Sequence, residues 1–322
     1  MKSLHAFALS LAALSAVMAP GARAESYPTR PITVIVPFPA GGSTDAVARL
    51  ITSKVSSIWG NQSIVVENKG GAAGMIGTKA GATAKADGYT LTLGNNQTHA
   101  TNATLFANPP VRLPNDFTPI AMLTRSKQVL VVPKVSPYKS LKELVEASKT
   151  KMLNYATPSV GSSSHLVSDS LSKRYSMTTT SVPYRGSAPA LIDTLGNHVD
   201  FMLASYGSAT GYLSSGELRA LVISGEQRDP ALPNVPTFEE LGLHDLSVDS
   251  WVGLFAPAGT PEAIVNKWSD ALATVMKDPE IISQLKASGF ETWFKPAEEM
   301  KTFYPKEIER WSVLVKRVGV QL

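Results

Sequence analysis

A five-residue β-branched run, Ile32-Thr-Val-Ile-Val36, breaks at Pro37 and Pro39, passes through Gly41-Gly42, and resumes with apolar residues at 46, 47, 50, 51 and 55. The first part has the composition of a buried strand. The second has the spacing of one helix face. Ser43, Thr44 or Asp45 is expected to cap the helix start. A strand feeding a glycine-rich turn into a helix commits the chain to α/β architecture. It also leaves free backbone N–H groups and the positive end of a helix dipole at the turn, a suitable place for an anion. The turn lacks the G-x-G-x-x-G of a dinucleotide site and the Gly-Lys-Ser/Thr of a P-loop.

The same rhythm recurs. Strands are predicted at 63–67 and 89–93, with a helix at about 78–85 between them. The glycine-dense segment 70–77 either lines a cleft or lets its helix pack closely on the sheet. Right-handed crossovers would place the turns of these units on one edge of an open parallel sheet. Past residue 128 the alternation restarts, with strands at 129–132, 153–157, 179–184, 199–203 and 218–223. Its helices are expected at 141–148, from 161 to about 175, and at 190–195, with a loop and short helix at 205–215. Ser140 and Glu143 form a capping box for the first of these helices. This second unit is also expected to be parallel.

The tail has a strand at 251–256 and three helices. Thr260 caps the first, with Pro261 at its first helical position; Asp278 caps the second; the third covers about 297–317. Packing of the tail onto the first unit gives lobe 1 from 25–126 plus 249–322 and lobe 2 from 127–248. Two chain crossings, near 125–128 and 247–251, would form a hinge that lets the lobes close on a ligand.

A length of 322 residues suits two domains, and 43% hydrophobic with 17% charged residues describes a folded chain. Residues 1–24 read as a signal peptide: Lys2, an apolar stretch at 7–17, and a cleavage site after Ala22-Arg-Ala24. The apolar stretch is too short to span a bilayer, which takes about 20 residues. Cleavage removes Lys2 and Arg23 and no acid, so the formal charge falls from +4 to +2 and nothing calls for nucleic acid or an acidic membrane surface. The absence of cysteine excludes disulfides, thiolate metal sites, a cysteine nucleophile and a lipid-bearing cysteine. An exported, core-stabilised chain of this kind fits the periplasm.

Ser162, Ser163, Ser164 and His165 repeat the first turn at a helix start in the second unit, so two anion-facing edges could oppose each other. A hydrolase built on Ser164, His165 and Asp169 is disfavoured, because there is no G-x-S-x-G elbow and adjacent side chains on a helix diverge. His165 is read as a hydrogen-bonding helix-start residue. His99, His198 and His244 are scattered without H-E-x-x-H or paired carboxylates, so no metal, cofactor or catalytic residue is assigned. Arg185, just past a strand, either pairs with a second carboxylate or lies in solvent. Asn95, Gln97 and Thr98 offer uncharged donors, and Tyr206 either covers a ligand or packs the hinge.

Several segments, in order along the chain, are similar to the tripartite tricarboxylate transporter receptor family, also called the Bug family. They include Tyr27-Pro-Thr-Arg-Pro-Ile, Pro37-Phe-Pro-Ala-Gly-Gly-Ser-Thr-Asp45, Val66-Glu-Asn-Lys-Gly-Gly-Ala-Ala-Gly74 and Asp87-Gly-Tyr-Thr-Leu91. Gly161-Ser-Ser-Ser-His-Leu166, Val182-Pro-Tyr-Arg-Gly-Ser-Ala-Pro-Ala190, Gly216-Glu-Leu-Arg-Ala-Leu221 and Phe255-Ala-Pro-Ala-Gly-Thr-Pro261 continue the match. The resemblance implies a two-lobed, type II periplasmic-binding-protein fold of the Venus flytrap kind. It also implies a small carboxylate ligand, delivery to membrane transporter subunits, and a monomeric state. Carried over by position, it points to Phe38, Ala40, Gly41, Gly42, Ser43 and Thr44 facing Ser162, Ser163 and Ser164, with Gln97, Thr98, Arg185 and Tyr206 toward the far end of the ligand. Family members often carry an acid after the strand at 199–203; Ala204 stands there and makes an amine-bearing ligand less expected. A receptor that docks on a sensor kinase and an exported serine hydrolase stay open as alternatives.

Overall fold

A computed structural model describes residues 27–322; the expected signal segment and its cleavage after Ala24 lie outside the described residues. The strands are β1 (Ile32–Val36), β2 (Ile64–Asn68), β3 (Thr90–Asn95), β4 (Phe117–Ser126), β5 (Gln128–Pro133), β6 (Leu153–Thr157), β7 (Thr179–Pro183), β8 (Phe201–Ser205), β9 (Leu218–Ile223), β10 (Ser250–Pro257) and β11 (Glu291–Pro296). The helices are α1 (Ser43–Ile58), α2 (Met75–Ala82), α3 (Asn102–Leu105), α4 (Leu141–Ser148), α5 (Ser163–Arg174), α6 (Ser187–Leu195), α7 (Tyr206–Ser214), α8 (Glu262–Val275), α9 (Pro279–Ala287) and α10 (Ala297–Val318). They build two lobes, one on a sheet ordered β11-β4-β10-β3-β1-β2 and the other on a sheet ordered β7-β6-β8-β5-β9.

Neither sheet is wholly parallel, contrary to the expectation from the alternating pattern. β1 runs parallel to β2 and β3, and β6 runs parallel to β7 and β8. β10 is antiparallel to β3 and β4, β11 to β4, and β5 to β8 and β9. Only strands joined by a crossover within one sheet are held parallel. β4 leaves its sheet through a single residue, Lys127, to become β5 of the other, and β10 arrives from the second lobe, so those strands are free of the constraint.

Other departures are local. β11 escapes pattern reading because it is half-buried at every position and shows no alternation. β8 begins two residues later than expected, so Ala204 lies inside the strand, opposite Val129. α2 starts earlier than expected, after Ala72, Ala73 and Gly74 all adopt positive φ. Pro261 is the N-cap of α8, while the Thr260 hydroxyl donates to the Pro257 carbonyl at 2.8 Å. The caps at Ser140 and Asp278 form as expected, although the Glu143 carboxylate reaches the N–H of Lys139 at 2.7 Å and not that of Ser140.

The tail does pack on the first sheet, but it also joins the lobes. One apolar cluster combines Leu130, Leu166 and Phe201 of the second lobe with Phe117, Trp251, Tyr304 and Trp311. At the far end of α10, the Lys173 ammonium donates to the Val318 carbonyl and Arg317 pairs with Asp245. Midway along α10 the buried Glu307 carboxylate accepts from the indoles of Trp251 at 2.8 Å and Trp311 at 3.1 Å. Glu307→Ala would leave two buried N–H donors unpaired, each at about 1–3 kcal/mol. Urea unfolding is expected to show a loss of about 2–5 kcal/mol for this variant, with a smaller loss for Glu307→Gln.

Candidate functional site

The turns that follow the strands of both sheets meet around a cavity of about 740 Å³. Two of these turns are local copies of each other. Gly41 sits at φ +81° and donates its N–H to the Asp45 carboxylate at 2.9 Å. Gly161 sits at φ +79° and donates its N–H to His165 Nδ1 at 3.2 Å. In each case a glycine takes the left-handed conformation that other residues resist, and the side chain four residues on ties down its N–H. The helix then begins beside the cavity, with Ser43 and Thr44 of α1 and Ser164 of α5 on its wall.

The expected caps of α1 are therefore corrected. Gly42 is the N-cap, with no side chain capping the helix, and Asp45 reaches backward. Among the described residues none accepts from the N–H groups of Ser43 and Thr44. In α5, Ser162 caps by accepting from the His165 N–H at 3.2 Å, which leaves the amides of Ser163 and Ser164 without a protein acceptor among the described residues. Ser164 is 2% exposed and lines the cavity, and its buried hydroxyl has no hydrogen-bond partner among the described residues. An orphan of that kind is costly unless something in the cavity pairs with it.

Of the residues singled out in the sequence, Phe38, Ala40, Gly42, Ser43, Thr44, Gln97, Ser162, Ser164 and Arg185 line the cavity. Gly41, Thr98, Ser163, His165 and Tyr206 are not brought to it. Gly41 has given its N–H to Asp45. The Thr98 hydroxyl accepts from the Asn95 N–H at 3.0 Å within its own turn. Ser163 donates to Gln128 Oε1 at 3.2 Å. His165 holds Gly161 through Nδ1, so its proton is on Nε2; burial pushes its pKa below the ordinary histidine value and keeps the ring neutral. Tyr206 opens α7, where its N–H meets the Lys127 carbonyl at 2.7 Å and its ring packs on the second-lobe core. The Gln97 carboxamide faces the other lobe, and Ser162 is held by Thr157 at 2.8 Å and by the Ser159 carbonyl at 2.9 Å.

The wall is completed by residues from other elements. The crossing strands supply Gln128, Trp251 and Val252, the end of β8 supplies Ser205, and Phe290 comes from the tail. No local signal marks Gln128, Trp251 and Val252, since they reach the cavity only because both crossings run beneath it. The glycine-dense 70–74 segment does line the cavity. Arg185 is the one formally charged side chain on the wall among the described residues. His99 is fully buried against Phe255, and burial lowers its pKa to about 3. Among the described residues no group of three or more His, Asp or Glu is placed to hold a metal ion, and no helix is long and apolar enough to cross a membrane.

Residues 47–320 match the model of the tripartite tricarboxylate transporter family receptor. The match begins just past the first glycine turn. Three solved structures are similar over nearly the whole chain. The periplasmic binding protein BugD is 33% identical, with a TM-score of 0.85 over 92% of this chain and 99% of its own. Rpa4515 of Rhodopseudomonas palustris, solved with adipate, is 32% identical, with a TM-score of 0.87 over 92% and 99%. MatC from the same organism, solved with bound malate, is 36% identical, with a TM-score of 0.83 over 90% and 100%.

Asp45 is the residue on which the first turn hangs. Burial opposes its ionisation, but hydrogen bonds from Arg49, the Gly41 N–H and Asn68 outweigh it and hold the carboxyl below its ordinary value of 3.8. A lowered folded pKa contributes stability that is present above the unfolded value and lost as pH falls through the folded one. Asp45→Asn is expected to cost about 2 kcal/mol at pH 7. The gap to the native chain should close as pH falls below 3.8; a gap unchanged at pH 2 in denaturant melts would contradict this role for the ionised carboxylate.

Proposed function

Since the chain belongs to the tripartite tricarboxylate transporter receptor family, we propose that it captures a small organic carboxylate between its lobes and delivers it to membrane subunits of a transporter. The observation that carries the reading is the pair of opposed helix starts, with the orphan Ser164 hydroxyl, on a wall free of acidic side chains among the described residues. Helix N-termini favour anions through unpaired amides and the dipole. Each charge-assisted hydrogen bond contributes about 1.5–3 kcal/mol, and a few suffice for micromolar affinity, about 8 kcal/mol, after the costs of closure. The cavity is of ordinary size for a small molecule. Phe38, Trp251, Val252 and Phe290 give the carbon skeleton an apolar wall. The adipate and malate held by two structural relatives support a carboxylate of this scale.

The proposed role is binding without turnover. The Ser164 hydroxyl has no hydrogen-bonded base, Ser162 is held by Thr157, and His165 Nδ1 is occupied by the Gly161 N–H. We assign residues 25–126 with 249–322 to one lobe and 127–248 to the other, and we place the chain in the periplasm as a monomer, after cleavage at Ala24.

A panel of aliphatic and aromatic mono-, di- and tricarboxylates, offered to protein unfolded and refolded to remove carried ligand, is expected to contain at least one acid that raises Tm. At a hundredfold excess over Kd the gain is about 2.7 kcal/mol. No response anywhere in the panel would overturn the reading. Gly42 tests the turn itself: a Cβ there meets only the Pro39 carbonyl, at 3.6 Å, so Gly42→Val is accommodated by the fold while crowding the ligand amides. Affinity should fall by at least about a hundredfold, the loss of two charge-assisted bonds, with Tm of the free protein nearly unchanged.

A further inference from the structure

Gln97 lines the cavity, yet its polar atoms serve the opposite lobe. Its Nε2 donates to the Val160 carbonyl at 3.0 Å, and its Oε1 accepts from the Ser159 hydroxyl at 2.8 Å. The side chain belongs to the segment after β3 of the first sheet, and its partners to the turn between β6 and α5 of the second. Its base is fixed, because the Asn95 carboxamide accepts from the N–H groups of Gln97 at 3.0 Å and Thr98 at 3.1 Å. One residue beyond Val160 the same seam closes further. A Cβ on Gly161 would stand 2.1 Å from Leu105 Cδ2, so only glycine lets this turn seat against α3. The next residues are Ser162 to Ser164, the second anion-facing helix start.

We propose that Gln97 is an interlobe clasp, a positioning residue that sets the spacing of the two helix starts and not a contact of the ligand. For its effect on affinity this rests on the carboxylate reading; for its effect on lobe spacing it stands alone. A carboxylate bridging both helix starts needs donors of each at about 2.7–2.9 Å, so a shift of one turn by an ångström forfeits bonds on that side. The clasp joins protein to protein, so it weights the competent arrangement equally for every ligand. Removing it multiplies all dissociation constants by one factor, the inverse of the competent fraction. Removing a ligand contact would instead penalise different acids differently.

The test pairs Gln97→Leu with the native chain in two measurements. The first is the affinity of each for three acids from the panel. The second is the ligand-free separation of dyes on Ile76→Cys and Ile192→Cys, exposed positions on the two lobes of a chain with no cysteine of its own. All three affinities should fall by a common factor of about ten, with their order kept, and the dye separation should shift to longer values. Gln97→Glu guards against misfolding of the first variant: ionised, it repels the Val160 carbonyl and should behave like leucine, while protonation at lower pH restores a donor and the native separation. Unchanged affinity and separation would overturn the clasp. So would losses that reorder the acids, which would make Gln97 a ligand contact, or an effect confined to Tm. Should the native chain bind none of the acids, the carboxylate reading fails, and the dye separation alone decides for or against the clasp.

Discussion

The site depends on one contact made twice: a left-handed glycine whose N–H is held by the side chain four residues ahead. Without it the turn after β1 or β6 has no fixed geometry, and the amides that open α1 or α5 have no fixed aim. The two copies use different chemistry for the same task. Asp45 is ionised, paired from the side with the Arg49 guanidinium and hydrogen-bonded by the Asn68 carboxamide. His165 is kept neutral by burial. The first turn therefore holds an ion-paired carboxylate under its amides, and the second a neutral ring. With Arg185 also on the second lobe, the electrostatic pull on an anion is stronger on that side of the cavity.

The lobes are joined by more than two strands. Lys127 separates β4 from β5, and the Gln128 N–H meets Ser224, whose hydroxyl donates to Asp249 at 2.6 Å. Burial raises the Asp249 pKa above its ordinary value, and the Ser224 hydrogen bond only partly offsets this. Both crossings are thus tied together directly below the cavity, where Gln128, Ser250 and Trp251 form part of its wall. A bend at the crossings moves the cavity wall itself, so ligand contact and lobe spacing are coupled through the same few residues.

Much of this was legible in local sequence, because β-branched runs and helix-face spacing act over a few residues. The strands at 32–36, 153–157 and 218–223 and the caps at Ser140 and Asp278 fall where the pattern puts them. What the pattern misses is long-range. Sheet direction depends on which lobe a strand arrives from, and β11 is defined by its pairing with β4, not by its own alternation. Gln97 and Thr98 look identical in the sequence, as polar donors after a strand. The first is used by residues 62 and 63 positions away and the second by its own turn. The echo between Gly41-to-Asp45 and Gly161-to-His165 is visible in the sequence but its cap is not, because an aspartate at a helix start ordinarily bonds forward and Asp45 bonds back to Gly41.

The division of labour among these residues limits where ligand preference can arise. On the proposed reading, backbone amides and a serine hydroxyl meet a carboxylate and nothing behind it, so the two turns would not tell one carbon skeleton from another. That choice would fall to the walls: Phe38, Phe290, the stretch from Tyr184 to Pro189, and Trp251. Trp251 is held in place by Glu307, which also fixes Trp311 on a helix that reaches both lobes. Substitutions along α10 can therefore retune the wall without touching the cavity, while the carboxylate turns stay as they are.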